Sequence, residues 1–263
     1  MIHNSPLVLH IPHASRVIPS EIRRTILLSD PELELELNKM TDSYTDELFI
    51  SDSVSAQSVV FPMSRLVLDT ERFLDDNHEV MAKIGMGVIY NHTADGQKLR
   101  HQPSAEERED LIDRYYRPHH QKLENCVSNC LQKFGRCLII DCHSFPSVAL
   151  PYELDQSEDR PDICIGADEF HSPIWLVDMI HNEFKKFGYS TAINKPFSGT
   201  MVPMRYYRKD RAVSSVMIEV NRKLCMGEST GGKIPNFSRV KEHISLIMNR
   251  VESSTAIRRK SHD

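Results

Sequence analysis

Leu138-Ile139-Ile140-Asp141-Cys142-His143-Ser144-Phe145 is an apolar, β-prone run that ends in an acid and a histidine. Such a run reads as a buried strand. It delivers Asp141 and His143 to its C-terminal end, and the two-residue spacing puts both on one face. In open α/β sheets ligands bind beyond the C-terminal ends of the strands. Two further segments share this form. Leu7-Val8-Leu9-His10-Ile11-Pro12-His13 is an apolar run closing on a histidine, and Ser215-Val216-Met217-Ile218-Glu219-Val220-Asn221 holds a lone carboxylate between apolar neighbours. Two histidines and a glutamate at strand ends, far apart in sequence, have the composition of a catalytic metal site. Each also has a plainer reading. A histidine at a strand end is often a hydrogen-bonded structural residue, and Glu219 would serve equally as a buried acid paired with an arginine.

Working outward, strand candidates alternate with helix candidates. The strands are expected at Val8–Ile11, Ser58–Phe61, Arg65–Asp69, Val88–Tyr90, Cys137–Asp141, Ile163–Ile165, Ser190–Ile193 and Val216–Val220, the helices near Pro31–Ser51, Ser104–Phe134, Pro173–Phe187 and Phe237–Ser253. Alternation of this kind implies an α/β fold with a mostly parallel sheet covered on both faces. Ser104 and Glu107 have capping-box spacing. Pro118 is expected to break or kink the helix that follows. Ser172-Pro173 opens the next helix and Gly188 closes it. Asn194 to Asp210 reads as a long loop before the last strand, a place where function often resides.

The chain has 263 residues, 40% of them apolar and 26% charged, with a formal charge of −5. This is the profile of an ordinary globular protein, read as a single domain over residues 1–263. No long basic run indicates a nucleic-acid surface. Arg258-Arg259-Lys260 reads as a solvated tail. No stretch approaches the ~18 apolar residues of a membrane span, and the start of the sequence has no secretory pattern. None of the six cysteines forms Cys-x-x-Cys; reduced, packed thiols in a cytoplasmic protein are the expectation.

These segments, with others in fixed order, resemble the N-formylglutamate amidohydrolase (N-formylglutamate deformylase) family. The matching pieces are Ile11-Pro12-His13-Ala14, Thr41-Asp42, Ser64-Arg65-Leu66-Val67-Leu68-Asp69, Arg72 with Asp75-Asp76, and Tyr115-x-Arg117-Pro118-x-His120. They continue through Asp141-Cys142-His143-Ser144, Pro161-Asp162-Ile163-x-Ile165-Gly166, Asn194-x-Pro196-Phe197-x-Gly199 and Glu219. Together they run from about residue 7 to residue 225. The chain departs from members acting in histidine breakdown at Ser43-Tyr44 and at Thr70-Glu71-Arg72, both beside the expected pocket.

The resemblance implies a three-layer α/β/α sandwich of zinc-carboxypeptidase-like (phosphorylase/hydrolase-like) type. It implies removal of the acyl group, formyl first, from a small N-acyl amino acid by water activated at a metal, with N-formyl-L-glutamate the leading substrate. Carried over, His13 and His143 match the metal histidines, Asp42 is the best match for the carboxylate ligand, with Asp46 and Glu47 close by, and Glu219 matches the general base and acid. Zn2+ is the expected ion, with Co2+ or Mn2+ as alternatives. Asp141 is either a carboxylate orienting a ligand or a structural acid. A glutamate-like product needs fixed cations, for which Arg65 and Arg72 are candidates unless they serve only Asp69, Asp75 or Asp76. Asn194 and Ser198 are candidates for holding the amide or α-carboxylate, and His120 is a secondary candidate. The rival readings are a non-catalytic module that binds acidic metabolites and an amidase for another N-acyl or cell-wall amide. Small molecules are the expected partners, not nucleic acid or membrane.

Overall fold

The computed structural model describes residues 5–257; Arg258-Arg259-Lys260 lies outside them. The elements in order are β1 (Leu7–Ile11), α1 (Ser20–Arg23), α2 (Asp30–Met40), α3 (Thr45–Phe49), β2 (Gln57–Val60), α4 (Ala105–Leu111), α5 (Arg117–Phe134), β3 (Cys137–Phe145), β4 (Ile163–Gly166), α6 (Ile174–Lys186), β5 (Thr191–Ile193), β6 (Val213–Asn221) and α7 (Phe237–Ile257). The six strands form one sheet in the order β2-β1-β3-β6-β4-β5. The first four run parallel; β4 is antiparallel to β6 and carries β5 with it.

The period-2 rule sorts the side chains into two layers. Leu9, Ile11, Ile140, Cys142, Ile218 and Val220 face a core built with α3, α6 and α7. Val8, Val59, Ile139 and Val213 face the opposite core under α5, where Leu123, Val127 and Cys130 pack. His10, Asp141, His143 and Glu219 have the parity of this second face. The register sets His10 opposite Asp141 and His143 opposite Glu219. The sheet thus places its polar residues together, where the α5 layer gives way to loops.

Local chemistry accounts for the helix ends. Ser104 and Glu107 form the expected capping box, and Ser29 with Glu32 forms another. Gly135, at φ 70°, ends α5 in the left-handed region. Gly166 is needed for another reason: a Cβ there would stand 2.3 Å from Gly199 O, so only glycine lets the loop after β5 cross β4 so closely. Among the described residues no helix is long and apolar enough to cross a membrane.

Two expectations are corrected and one is met. The helix expected over Pro31–Ser51 is divided into α2 and α3 by a turn in which Tyr44 has φ 67°. The turn carries Asp42 to the sheet, its N–H donating to His13 O at 3.0 Å. At Pro118 the regular helix is interrupted as expected: α4 gives way to a π-helical turn at Ile112–Tyr116, and α5 restarts with Pro118 in its first turn. Arg65–Asp69 and Val88–Tyr90 are not strands. They are buried turns whose apolar residues fill small cores beside α2 and the π-helical turn, Leu66 and Tyr90 in one and Val67, Leu68, Val88 and Ile89 in the other.

Candidate active site

His13 follows β1, His143 lies on β3, and Glu219 lies on β6 beside it. All three are buried, at 2%, 4% and 7% exposure, and all line one cavity of about 560 Å3. Each imidazole is held at one nitrogen by a carboxylate. His143 donates from Nδ1 to Asp42 Oδ2 at 3.0 Å. His13 donates from Nε2 to Asp69 Oδ1 at 2.9 Å. The remaining nitrogens, His13 Nδ1 and His143 Nε2, are buried without a hydrogen bond. Both face Glu71 Oε2, at 3.7 and 3.2 Å. Asp141 Oδ1 is also 3.2 Å from His143 Nε2.

Nitrogens left unbonded on two buried imidazoles, each ring oriented by a carboxylate on its far nitrogen, are the usual arrangement of metal-ligating histidines. His13, Glu71 and His143 have donor atoms within 4.8 Å of one another and could hold a metal ion. Asp42, Glu71, Asp141 and Glu219 line the cavity beside these imidazoles, with Arg65, Arg72 and Arg222. Zn2+, Co2+ and Mn2+ all accept such imidazole and carboxylate donors.

Glu71 was not among the expected site residues. It sits in the turn after Asp69, whose Oδ1 accepts the Glu71 N–H at 2.9 Å. The flanking carbonyls are fixed from the start of α5: His120 Nε2 donates to Thr70 O at 2.7 Å and Tyr116 O–H to Arg72 O at 3.1 Å. Tyr116 ends the π-helical turn and His120 lies in the first turn of α5 after it, and such π-helical turns are frequent at functional sites. Asp42, expected as a ligand, joins no group of three possible metal donors among the described residues. It spans His143 and Arg222 instead, with Oδ1 accepting from Arg222 Nη2 at 2.9 Å. Asp46 and Glu47 are absent from the cavity lining.

Ionisation follows from these contacts. Burial opposes the charge on Asp42, but the neighbouring imidazoles of His13 and His143 hold it well below the usual carboxylate range. Burial also opposes a proton on His143, but Glu71 and Asp141 raise its affinity well above an ordinary imidazole. Burial lifts Glu219 to about 8, against the pull of His143, and its Oε2 has no hydrogen-bond partner. Surrounded only by the protein's own groups, Glu219 keeps its proton at neutral pH; a divalent cation nearby favours the carboxylate.

Of the other expected residues, Arg65, Arg72 and Ser198 line the cavity. Arg65 is committed to Asp69, at 2.7 Å through Nη2 and 3.2 Å through Nε. Asn194 does not reach the cavity lining; its Oδ1 accepts from Ala167 N at 2.7 Å and shapes the loop. Arg222, missed in the sequence, directly follows β6 and is 3% exposed. Its nitrogens reach Asp42, Ser144 and Lys39 O, tying the Asp42 turn to β3. Asp141 accepts from His10 Nδ1 at 2.7 Å and from Met201 N at 2.9 Å. His119, driven down to about 2 by burial and by neighbouring His10, backs His10 as a neutral ring.

Comparison with known proteins gives the chain its relatives. A curated N-formylglutamate deformylase of Pseudomonas putida is 25% identical over 232 residues, covering 85% of this chain and 83% of that protein. The solved N-formylglutamate amidohydrolase of Ralstonia eutropha JMP134 superposes with a TM-score of 0.84 at 23% identity, covering 96% of this chain and 94% of its own. A gene product of Agrobacterium tumefaciens superposes at 0.69 with 19% identity, over 96% and 92% of the two chains. The model of the N-formylglutamate amidohydrolase family matches residues 5–226, and with the buried histidines and Glu219 all inside that span, the chain belongs to this family of amidohydrolases.

Proposed function

We propose that the protein is a metal-dependent amidohydrolase that frees an amino acid from its N-formyl derivative, with N-formyl-L-glutamate, the substrate named for its relatives, as the first compound to test. The observation that carries the reading is the pair of buried, unbonded nitrogens, His13 Nδ1 and His143 Nε2, facing Glu71 across from Glu219. His13, His143 and Glu71 would hold the ion, and Asp69 and Asp42 would orient the two imidazoles. When bound, a Zn2+, Co2+ or Mn2+ ion polarises the amide carbonyl and acidifies water. Glu219 takes the proton as water adds to the acyl carbon and passes it to the leaving nitrogen as the C–N bond breaks. Arg72 and Ser198 face the same cavity and are proposed to hold the substrate; Arg65 supports Asp69.

Chelation tests the reading directly. Protein dialysed against a chelator should lose hydrolysis of N-formyl-L-glutamate and regain it on addition of one equivalent of Zn2+, Co2+ or Mn2+. Undiminished hydrolysis by protein shown to be metal-free by elemental analysis would refute metal dependence.

A further inference from the structure

Three buried polar side chains take no part in the proton transfers of Glu219. His10, Asp141 and His119 are 0%, 1% and 5% exposed. They form one hydrogen-bonded chain from the sheet to α5. The register of β1 with β3 sets His10 opposite Asp141, and His10 Nδ1 donates to Asp141 Oδ1 at 2.7 Å. On its far side His10 Nε2 meets His119 Nε2 at 2.9 Å. With one hydrogen on each ring the directions are fixed. A carboxylate has none to give, so His10 spends its hydrogen on Asp141 and accepts the one carried by His119. His119 comes from the start of α5 and packs edge-on against Phe61, ring centroids 5.2 Å apart. The layer around the chain is apolar, with Val8, Val59, Ile139 and Val213 on the same face. Apolar side chains of matching shape would fill the space at little cost, so packing does not account for these three residues.

The inner end of the chain supplies a reason. Asp141 lines the cavity, while His10 and His119 do not. Asp141 Oδ1 stands 3.2 Å from His143 Nε2, a nitrogen that is buried without a hydrogen bond. Its Oδ2 accepts from Met201 N at 2.9 Å. Held from behind at both oxygens, the carboxylate cannot swing away from His143. His10, Asp141 and Glu71 also have donor atoms within 4.8 Å of one another. They differ from the group of His13, Glu71 and His143 in one respect. His10 Nδ1 is committed to Asp141, whereas His13 Nδ1 and His143 Nε2 have no partner. The His10 group therefore supports the first centre and does not form a second one.

We infer that His119 and His10 are positioning residues that act through Asp141, holding its carboxylate beside the metal-facing nitrogen of His143 so that its charge tightens the hold on the ion. This rests on the metal-dependent reading above and adds a support that reaches the site from α5. The groups around a ligand set are oriented by hydrogen-bond partners one step further out, and losing such a partner weakens the metal without touching a ligand.

Zn2+ titration of the metal-free full chain, read by calorimetry and checked by elemental analysis, tests the inference without reliance on turnover. His10→Leu should bind one equivalent about 10–100-fold more weakly than the parent. His10→Asn, whose amide nitrogen takes the place of Nδ1, should recover most of the affinity. In an Asp141→Asn background His10→Leu should cost nothing further, because His10 acts through that carboxylate. His119→Phe should weaken binding by a smaller factor, and His119→Gln, which keeps a donor, should restore it. Should denaturant titration show that His10→Leu does not fold, the two His119 variants carry the same test. Parental affinity in the folded variants overturns the inference, makes the chain structural and leaves the metal centre standing. Two equivalents bound by the parent and one by His10→Leu also overturn it, making His10 a ligand of a second ion. Weakened binding in the variants, from a parent that hydrolyses no N-formyl amino acid, upholds the positioning role and refutes the amidohydrolase. A parent that binds none of Zn2+, Co2+ and Mn2+ refutes both.

Discussion

Replacing Glu219 with glutamine lowers turnover by on the order of 10²–10⁴-fold and leaves the bound metal in place. Glutamine has the same shape and keeps the packing between Ile218 and Val220, but it accepts no proton. Glu219 is suited to proton transfer because its surroundings oppose each other: burial lifts it to about 8, while His143 and a cation beside it favour the carboxylate. Its Oε2 is unbonded and therefore available. Elemental analysis of the variant beside its steady-state kinetics checks the assignment. Loss of metal together with activity would make Glu219 a ligand.

Asp69→Ala destabilises the fold by about 3–5 kcal/mol, because it strands the Arg65 guanidinium in a buried site. Asp69 is fully buried and serves four groups at once: Arg65, the Tyr90 hydroxyl, His13 Nε2 and the Glu71 N–H. It therefore joins the small core beside α2 to His13 and Glu71. Denaturant titration of the metal-free protein isolates the structural part of the loss. A change under about 1 kcal/mol would mean that water reaches Arg65, and the pair would then count as a surface salt bridge.

The residues that were legible in the sequence are those on regular strands. His143 and Glu219 interrupt apolar runs, and the period-2 rule puts His143 on one face with Asp141; that Glu219 shares this face follows from the pairing of β3 with β6. The capping box at Ser104 was legible for the same reason, since its spacing is fixed by backbone geometry. Glu71 had no such spacing. It lies in an irregular turn, and its apolar neighbours Leu66 to Leu68 imitate a strand because a buried turn is as hydrophobic as a buried strand. The usable signal was Asp69-Thr70-Glu71-Arg72 itself, a charged run against a buried apolar one. Asp42 was identified as part of the site, but sequence does not say which atom a carboxylate faces; only the turn at Tyr44 sets it against His143 Nδ1. Arg222 was hidden among surface-like basic residues, Arg222-Lys223, although its place directly after β6 is where a buried guanidinium reaches the strand ends.

The central claim is that His13, His143 and Glu71 hold the metal while Asp42 orients His143. Titration of metal-free Glu71→Gln and Asp42→Asn proteins with Zn2+, read by calorimetry and confirmed by elemental analysis, tests it most directly. Asp42→Asn should still bind one equivalent, about 10–100-fold more weakly than the parent, and Glu71→Gln should weaken binding further than that. Near-parental affinity in Glu71→Gln, with binding abolished in Asp42→Asn, would contradict the assignment and make Asp42 the carboxylate ligand.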